Sequence, residues 1–311
     1  MALGLEHGIH QFNVESGAEL VALSETAASL GKTAPVALRV NPDVAAGGHP
    51  NISTGKAGDK FGVPWTDAPR LYEQMKALPG VKAVGVDVHI GSQIGELEPM
   101  RAAFEKTIGL VKTLRESGHD LTRIDLGGGL GIPYQASDNP APPSDYAAMI
   151  HDVTKDLGLQ VVLEPGRVIA GNAGVMVTEV LYHKPAPDRT FMIVDAGMND
   201  LMRPALYQAH HDIVPVNQPA GDSHQVEYDI VGPICESTDK FAARRKMPAV
   251  EPGERIAFMS SGAYGAVLSS QYNARPLVAE VLVDGDQFAV VRRRPSFEQM
   301  IELEQMPDWL T

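Results

Sequence analysis

Two rhythms of apolar and polar residues divide the chain. Up to about residue 170, short apolar runs ending in Gly, Pro or a polar residue alternate with segments whose apolar residues recur every three or four positions. The runs HQFNVES, PVALRVNP, AVGVDVHIGS, TRIDLGGG and QVVLEPG predict five strands, and PMRAAFEKTIGLVKTLRESG predicts a helix between two of them. Strands and helices in alternation are the pattern of parallel β/α units. From about Gly174 the rhythm becomes strand-length runs joined by short turns: VMVTEVLYHK, TFMIVDAG, HDIVPVN, QVEYDIVGP, RIAFMSSGAY and LVAEVLVDGDQFAVVRRR. These predict an antiparallel β domain, closed by a helix over SFEQMIELEQMPDWL. The expected domains are residues 1–173 and 174–311, with no internal repeat or low-complexity segment.

Charge and composition narrow the range of partners. A net charge of -13 argues against a surface built for nucleic acid or an anionic membrane and favours a small-molecule partner. No apolar run approaches the roughly 20 residues that span a bilayer. The opening MALGLEHGIHQ lacks the basic and apolar regions of a signal peptide. A single cysteine, Cys235, allows no internal disulfide, which suits a reducing cytosol and leaves the thiol either to fill core space or to react.

Two nucleotide motifs fail on inspection. SLGKT (29–33) ends like a phosphate-binding loop, but Thr26 stands where the first glycine belongs and a helix precedes it. GGGLGI (127–132) has Ile132 at the last glycine of a dinucleotide fingerprint. Gly127, Gly128 and Gly129 then have two readings: a turn that points several N–H groups at a phosphate, or a tight βα turn. Two more strand ends carry polar residues, His89 with Ser92 and Glu164 with Arg167, and in a parallel β/α barrel such ends share one face. Singly, His89 also reads as a core histidine and Glu164 with Arg167 as a structural ion pair. In the β half, Arg203 and Tyr207 stand four apart, a spacing that either grips a carboxylate or marks a surface turn. Tyr264 lies between glycines, a phenol brought close to a ligand, and His210 with His211 reads as loop surface. The ten histidines show no metal-ligand spacing, so no metal is expected.

Taken in order, HIGSQI, DLGGGLGIPY, LEPGR, DAGMNDLMRPALY, GPICESTDKFA and GAYGAVLSSQYNARP resemble the diaminopimelate decarboxylases over essentially the whole chain. These are pyridoxal-phosphate enzymes with an alanine-racemase-like fold, which convert meso-diaminopimelate to L-lysine and carbon dioxide, the last step of lysine biosynthesis. The resemblance implies an α/β fold, a partial (β/α)8-type barrel with about five of eight strands followed by an antiparallel β-barrel-like domain. It assigns pyridoxal 5'-phosphate to Gly127, Gly128 and Gly129 (phosphate), Glu164 (pyridine nitrogen), His89 (ring face), and Ser92, Pro165, Gly166, Arg167 and Tyr264. Substrate is assigned to Arg167, Arg203, Tyr207, Glu236 and Tyr264, and Cys235 becomes the proton donor, reaching the site of a neighbouring subunit in a cytoplasmic homodimer. An ornithine- or arginine-type decarboxylase of the same fold is the rival enzyme, and a non-catalytic remnant the rival of another class. One departure stands out: the family's cofactor lysine, in a segment like YAVKAN, has no counterpart here, and Lys56 and Lys60 match a different loop. The chain as given is therefore expected to begin about three strands late, to leave open sheet edges between Phe12 and Gly166, and to be inactive by itself.

Overall fold

The computed structural model describes residues 1–44, 60–217 and 223–310. It divides into two compact units, residues 1–132 with 138–169, and residues 133–137 with 170–311.

In the first unit α1 (Ala2–Glu6) precedes β1 (Phe12–Val14), α2 (Gly17–Ser29), β2 (Ala34–Asn41), β3 (Val63–Pro64), α3 (Ala68–Ala77) and β4 (Val81–Val88). Then come α4 (Glu98–Glu116), β5 (Arg123–Asp125), α5 (Pro143–Thr154), β6 (Gln160–Val162) and α6 (Arg167–Ala170). The five expected strands form one parallel sheet in the order β1-β2-β4-β5-β6, with the two-residue β3 added beside β2. Six of the eight residues of β2 are buried, as expected of a parallel strand covered on both faces. The helices form because their apolar residues return on one side. In α4, Met100, Ala103, Phe104, Thr107, Ile108, Val111 and Leu114 are buried against the sheet's core. Ser16 caps α2 by accepting the Glu19 N–H, and Glu19 reaches back to the Glu15 N–H.

The sheet ends at β1 and β6, yet His10, just before β1, is hydrogen-bonded to residues of both β5 and β6. His10 Nε2 lies 3.2 Å from Gln160 Oε1, and Arg123 donates to the His10 carbonyl at 2.6 Å. SLGKT occupies the end of α2 and the turn after it, with Gly31 at φ 62°.

The second unit contains β7 (Met176–Ala186), β8 (Arg189–Val194), α7 (Arg203–Tyr207), β9 (Ile213–Pro215), β10 (Gln225–Val231), β11 (Lys240–Pro248) and β12 (Arg255–Phe258). Its six-stranded sheet runs β11-β10-β8-β7-β12-β9 and is antiparallel except where β10 lies parallel to β8. The core beneath it gathers Val180, Met192, Val194, Ile230, Ile256 and Phe258. A separate hairpin joins β13 (Glu280–Asp284) to β14 (Gln287–Arg292) through Gly285 at φ 60°, the backbone that a two-residue turn reserves for glycine.

One strand goes beyond the expectations, and one helix falls short of them. The charged run KFAARRKMP forms β11 although nothing in its polarity announced a strand; Arg244 sits at φ 48° and donates its N–H to Asp229 Oδ1 where the pairing is irregular. The closing helix is short: α8 (Phe297–Ile301) has a Ser296–Gln299 capping box but buries no residue, and Pro307 precedes only a single 3-10 turn at Asp308–Leu310. No helix among the described residues is long and apolar enough to cross a membrane.

Candidate active site

Strand register in the first unit lines up three charged residues. Arg39 of β2 is opposite Asp87 of β4, and Asp87 is opposite Asp125 of β5, so the three side chains share one face of the sheet. Glu164, just beyond β6, joins them: one oxygen from each of Asp87, Asp125 and Glu164 lies within 4.8 Å of the others. Asp125 accepts from Gln11 Nε2 at 2.9 Å, Asn13 Nδ2 at 3.2 Å and the Gly127 N–H at 3.0 Å. Asn13 also donates to Glu164 Oε1 at 3.0 Å. Burial, followed by the Asp125 charge, pushes the Glu164 carboxyl above the usual carboxylate range.

The polar strand ends expected on one face do come together. His89 follows β4, and its Nδ1 accepts the Gly128 N–H at 3.1 Å, which requires that nitrogen to be unprotonated. Burial, and then the Arg39 charge, lower the imidazole to about 4, so the ring is neutral at physiological pH. Arg167 is buried and donates to Ser92 Oγ at 3.0 Å. The partners found are thus Asn13 for Glu164 and Ser92 for Arg167, rather than each other.

The glycine turn behaves differently from a simple N–H cradle. The N–H groups of Gly127 and Gly128 are taken by Asp125 and His89. A Cβ on Gly127, Gly128 or Gly129 would come within 2.5 Å of the carbonyl oxygen of Val88, Glu164 or Gly91 respectively. The glycines therefore let three βα turns pack backbone against backbone. A cavity of about 460 Å³ opens beside them, bounded by Gly127–Gly129, Pro165 and Gly166 and by Tyr146, Ile150 and His151 of α5 and its surroundings.

In the second unit α7 carries Arg203 and Tyr207 as the spacing suggested, but Arg203 is no surface residue. It is buried, lies 4.4 Å from the Tyr134 ring centroid, and has Nη1 2.8 Å from His211 Nε2. His211 is buried as well, its Nδ1 2.8 Å from the Met259 carbonyl oxygen, which corrects its reading as loop surface. Buried between α7 and β12's end, the imidazole fixes the guanidinium instead of meeting solvent. Cys235 and Glu236 are exposed on the loop between β10 and β11. Asp239 anchors that loop by accepting the N–H groups of Ile234 at 2.6 Å and Met198 at 2.7 Å. Thr238 and Tyr272 donate their hydroxyls to the two Glu236 oxygens at 2.5 and 2.7 Å, holding its carboxyl below the usual range. Tyr264 stands exposed at φ 57°, a backbone kept beside Gly262 and Gly265. Asn13, Asp87, Asp125, Asp239 and Tyr272 were not foreseen. A carboxylate inside an apolar strand, as in VGVDVHI and RIDL, was the available signal for two of them. Lys56 lies outside the described residues, and Lys60 has its amine 5.0 Å from the Phe61 ring centroid.

A neutral imidazole beside a carboxyl with raised proton affinity suits a flat, protonatable aromatic ring, and residues 1–171 match the family model described as "Pyridoxal-dependent decarboxylase, pyridoxal binding domain". The fold and this site place the chain in the class of pyridoxal-dependent decarboxylases. Among curated proteins it is 47% identical over 312 residues to the diaminopimelate decarboxylase of Zymomonas mobilis, covering 100% of this chain and 73% of that one. With the enzyme of Aquifex aeolicus it shares 45% identity over 94% of this chain and 70% of the relative. The crystal structure of the Helicobacter pylori diaminopimelate decarboxylase complexed with L-lysine superposes with a TM-score of 0.92 at 39% identity, over 97% of this chain and 75% of that one. The chain belongs to the diaminopimelate decarboxylase family.

Proposed function

We propose that the chain carries the cofactor and substrate residues of a cytoplasmic enzyme that decarboxylates meso-diaminopimelate to L-lysine. The observation that carries this reading is 47% identity across the whole chain to a diaminopimelate decarboxylase. The ornithine- and arginine-type reading is not favoured, because relatives at this level of identity are diaminopimelate decarboxylases.

The residues of the first unit fit pyridoxal phosphate at its ring. Glu164 would hold a proton at the pyridine nitrogen, supported by its raised proton affinity, and neutral His89 would cover a ring face. Gly127–Gly129 with Ser92, Pro165, Gly166, Arg167 and Tyr264 would hold the phosphate and its surroundings. Because two of the three glycine N–H groups are used internally, the role of Gly127 and Gly128 is to bring the turns close, and Gly129 is the one that meets the anion. Once bound, the cofactor supplies an electron sink for the bond that loses carbon dioxide.

Arg203 suits the distal carboxylate of the substrate, helped by Arg167 and Tyr207. A guanidinium already fixed by Tyr134 and His211 loses little freedom on binding. Glu236, ionised and oriented by Thr238 and Tyr272, suits the distal ammonium. Cys235 delivers a thiol proton to the carbon that has lost carbon dioxide, acting on the neighbouring copy in a homodimer.

The test is substrate preference. A protein carrying residues 1–311 together with the family's lysine segment is expected to turn over meso-diaminopimelate orders of magnitude faster than ornithine or arginine, which offer Arg203 no distal carboxylate. Comparable rates would overturn the assignment.

A further inference from the structure

The cross-sheet row of Arg39, Asp87 and Asp125 contains a carboxyl that the proposed mechanism leaves unused. Asp87 is 1% exposed, and its Oδ1 is buried without a hydrogen-bond partner. Register places Arg39 beside it, but that guanidinium is spent elsewhere: its Nη1 meets Glu15 Oε1 at 2.6 Å and its Nη2 the His89 carbonyl at 3.5 Å. On the other side stands Asp125, whose oxygens accept hydrogen bonds from Gln11, Asn13 and the Gly127 N–H. Glu164 completes the group, and the Tyr72 phenol, which donates to the Gly85 carbonyl at 2.6 Å, faces the same region from α3. The charged and titratable groups around Asp87 are therefore Asp125, Glu164, Arg39, Glu15 and Tyr72.

Asp87 and Asp125 are buried and Glu164 is exposed beside them; like charges this close disfavour one another's ionised form, and a proton goes to the carboxyl with fewest compensating donors. We propose that Asp87 is a neutral, protonated carboxylic acid that positions charge behind Asp125 and Glu164. Burial first, and next the Asp125 and Glu164 charges, push its proton affinity well above that of an ordinary aspartate. With Asp87 neutral the group carries at most two negative charges. Asp125 shares the Asn13 amide with Glu164, and that hydrogen bond aims the Glu164 carboxyl. Asp87 is a positioning residue, and its bearing on the cofactor rests on the function proposed above.

The experiment uses the 311-residue chain without cofactor or substrate, so its outcome is separate from that of the activity assay. Carbon NMR of isotope-labelled aspartate near neutral pH is expected to show a protonated carboxyl resonance that disappears in Asp87→Asn and persists in Asp125→Asn. Absence of a protonated resonance assignable to Asp87, or its loss in Asp125→Asn instead, overturns the proposal. A second measurement does not depend on the spectrum. Because folding holds a proton on Asp87, the wild type loses stability as pH rises from the unfolded aspartate value of about 4 toward the folded one. The urea midpoint of Asp87→Asn is expected to gain steadily on the wild type over that rise. A gap that stays fixed or shrinks with rising pH would show that Asp87 is ionised.

Discussion

His89 illustrates how one backbone amide settles a protonation state. While Nδ1 accepts from Gly128 it has no room for a proton, and burial beside Arg39 works in the same direction, from 6.5 down to about 4. The unfolded ring binds a proton through that interval and the folded ring does not. The contribution is thus complete above about 6.5 and drains away as pH falls toward about 4. His89→Gln removes the drain. Its urea midpoint, compared with wild type at pH 7 and again at pH 5, is expected to shift in the variant's favour at the lower pH; an unchanged difference would mean that His89 protonates freely. His89, Glu164, Arg203 and Cys235 stand out in the sequence because each belongs to a short ordered motif. The pairings of Asn13 with Glu164 and of Tyr272 with Glu236 were not legible, because the partners are distant in the chain and meet only through the fold.

Elements were legible where one pattern dominated. The five parallel strands and α4 announce themselves by apolar runs and helical spacing. The strand β11 does not, because Arg244, Arg245 and Lys246 interrupt its alternation and its pairing with β10 is set by backbone and by Asp229. The reverse error occurred at α8, where helix-forming residues have no core to pack on and propensity alone extends only to Ile301. The Gly127–Gly129 turn was read from the sequence as either a phosphate cradle or a tight βα turn, and in the structure its glycines let neighbouring turns pack backbone against backbone. Gly128→Ala would place a Cβ 2.2 Å from the Glu164 carbonyl oxygen. It is expected to destabilise the first unit by about 1–3 kcal/mol, the usual cost of overpacking, and to weaken pyridoxal phosphate binding as the Glu164 turn is pushed away. Wild-type unfolding midpoints for this variant would show that the turns separate without cost.

At the scale of the whole molecule, the change of rhythm near Gly174 marked where one kind of sheet gives way to another, while the passage of residues 133–137 into the second unit could not be read from polarity. Assembly is a matter for complementation. In a protein carrying the family's lysine segment, Cys235→Ala is expected to lower turnover by roughly a hundredfold or more, as loss of a positioned proton donor does. Mixing it with chains whose cofactor lysine is replaced should then restore part of the activity, since a hybrid dimer has one site with both groups. If no activity returns, thiol and cofactor belong to the same subunit. The clamp at Asp239 bears on how such a protein can evolve. Its two oxygens hold the amides of Met198 and Ile234, so the segment leading to Arg203 and the segment bearing Cys235 are pinned to one post, 41 residues from the first and five from the second. Neither segment can drift alone: on the function proposed above, a substitution that lets go of Asp239 would retune the proposed grip on substrate and the proposed aim of the thiol together, so changes in specificity and in chemistry would be inherited as a pair.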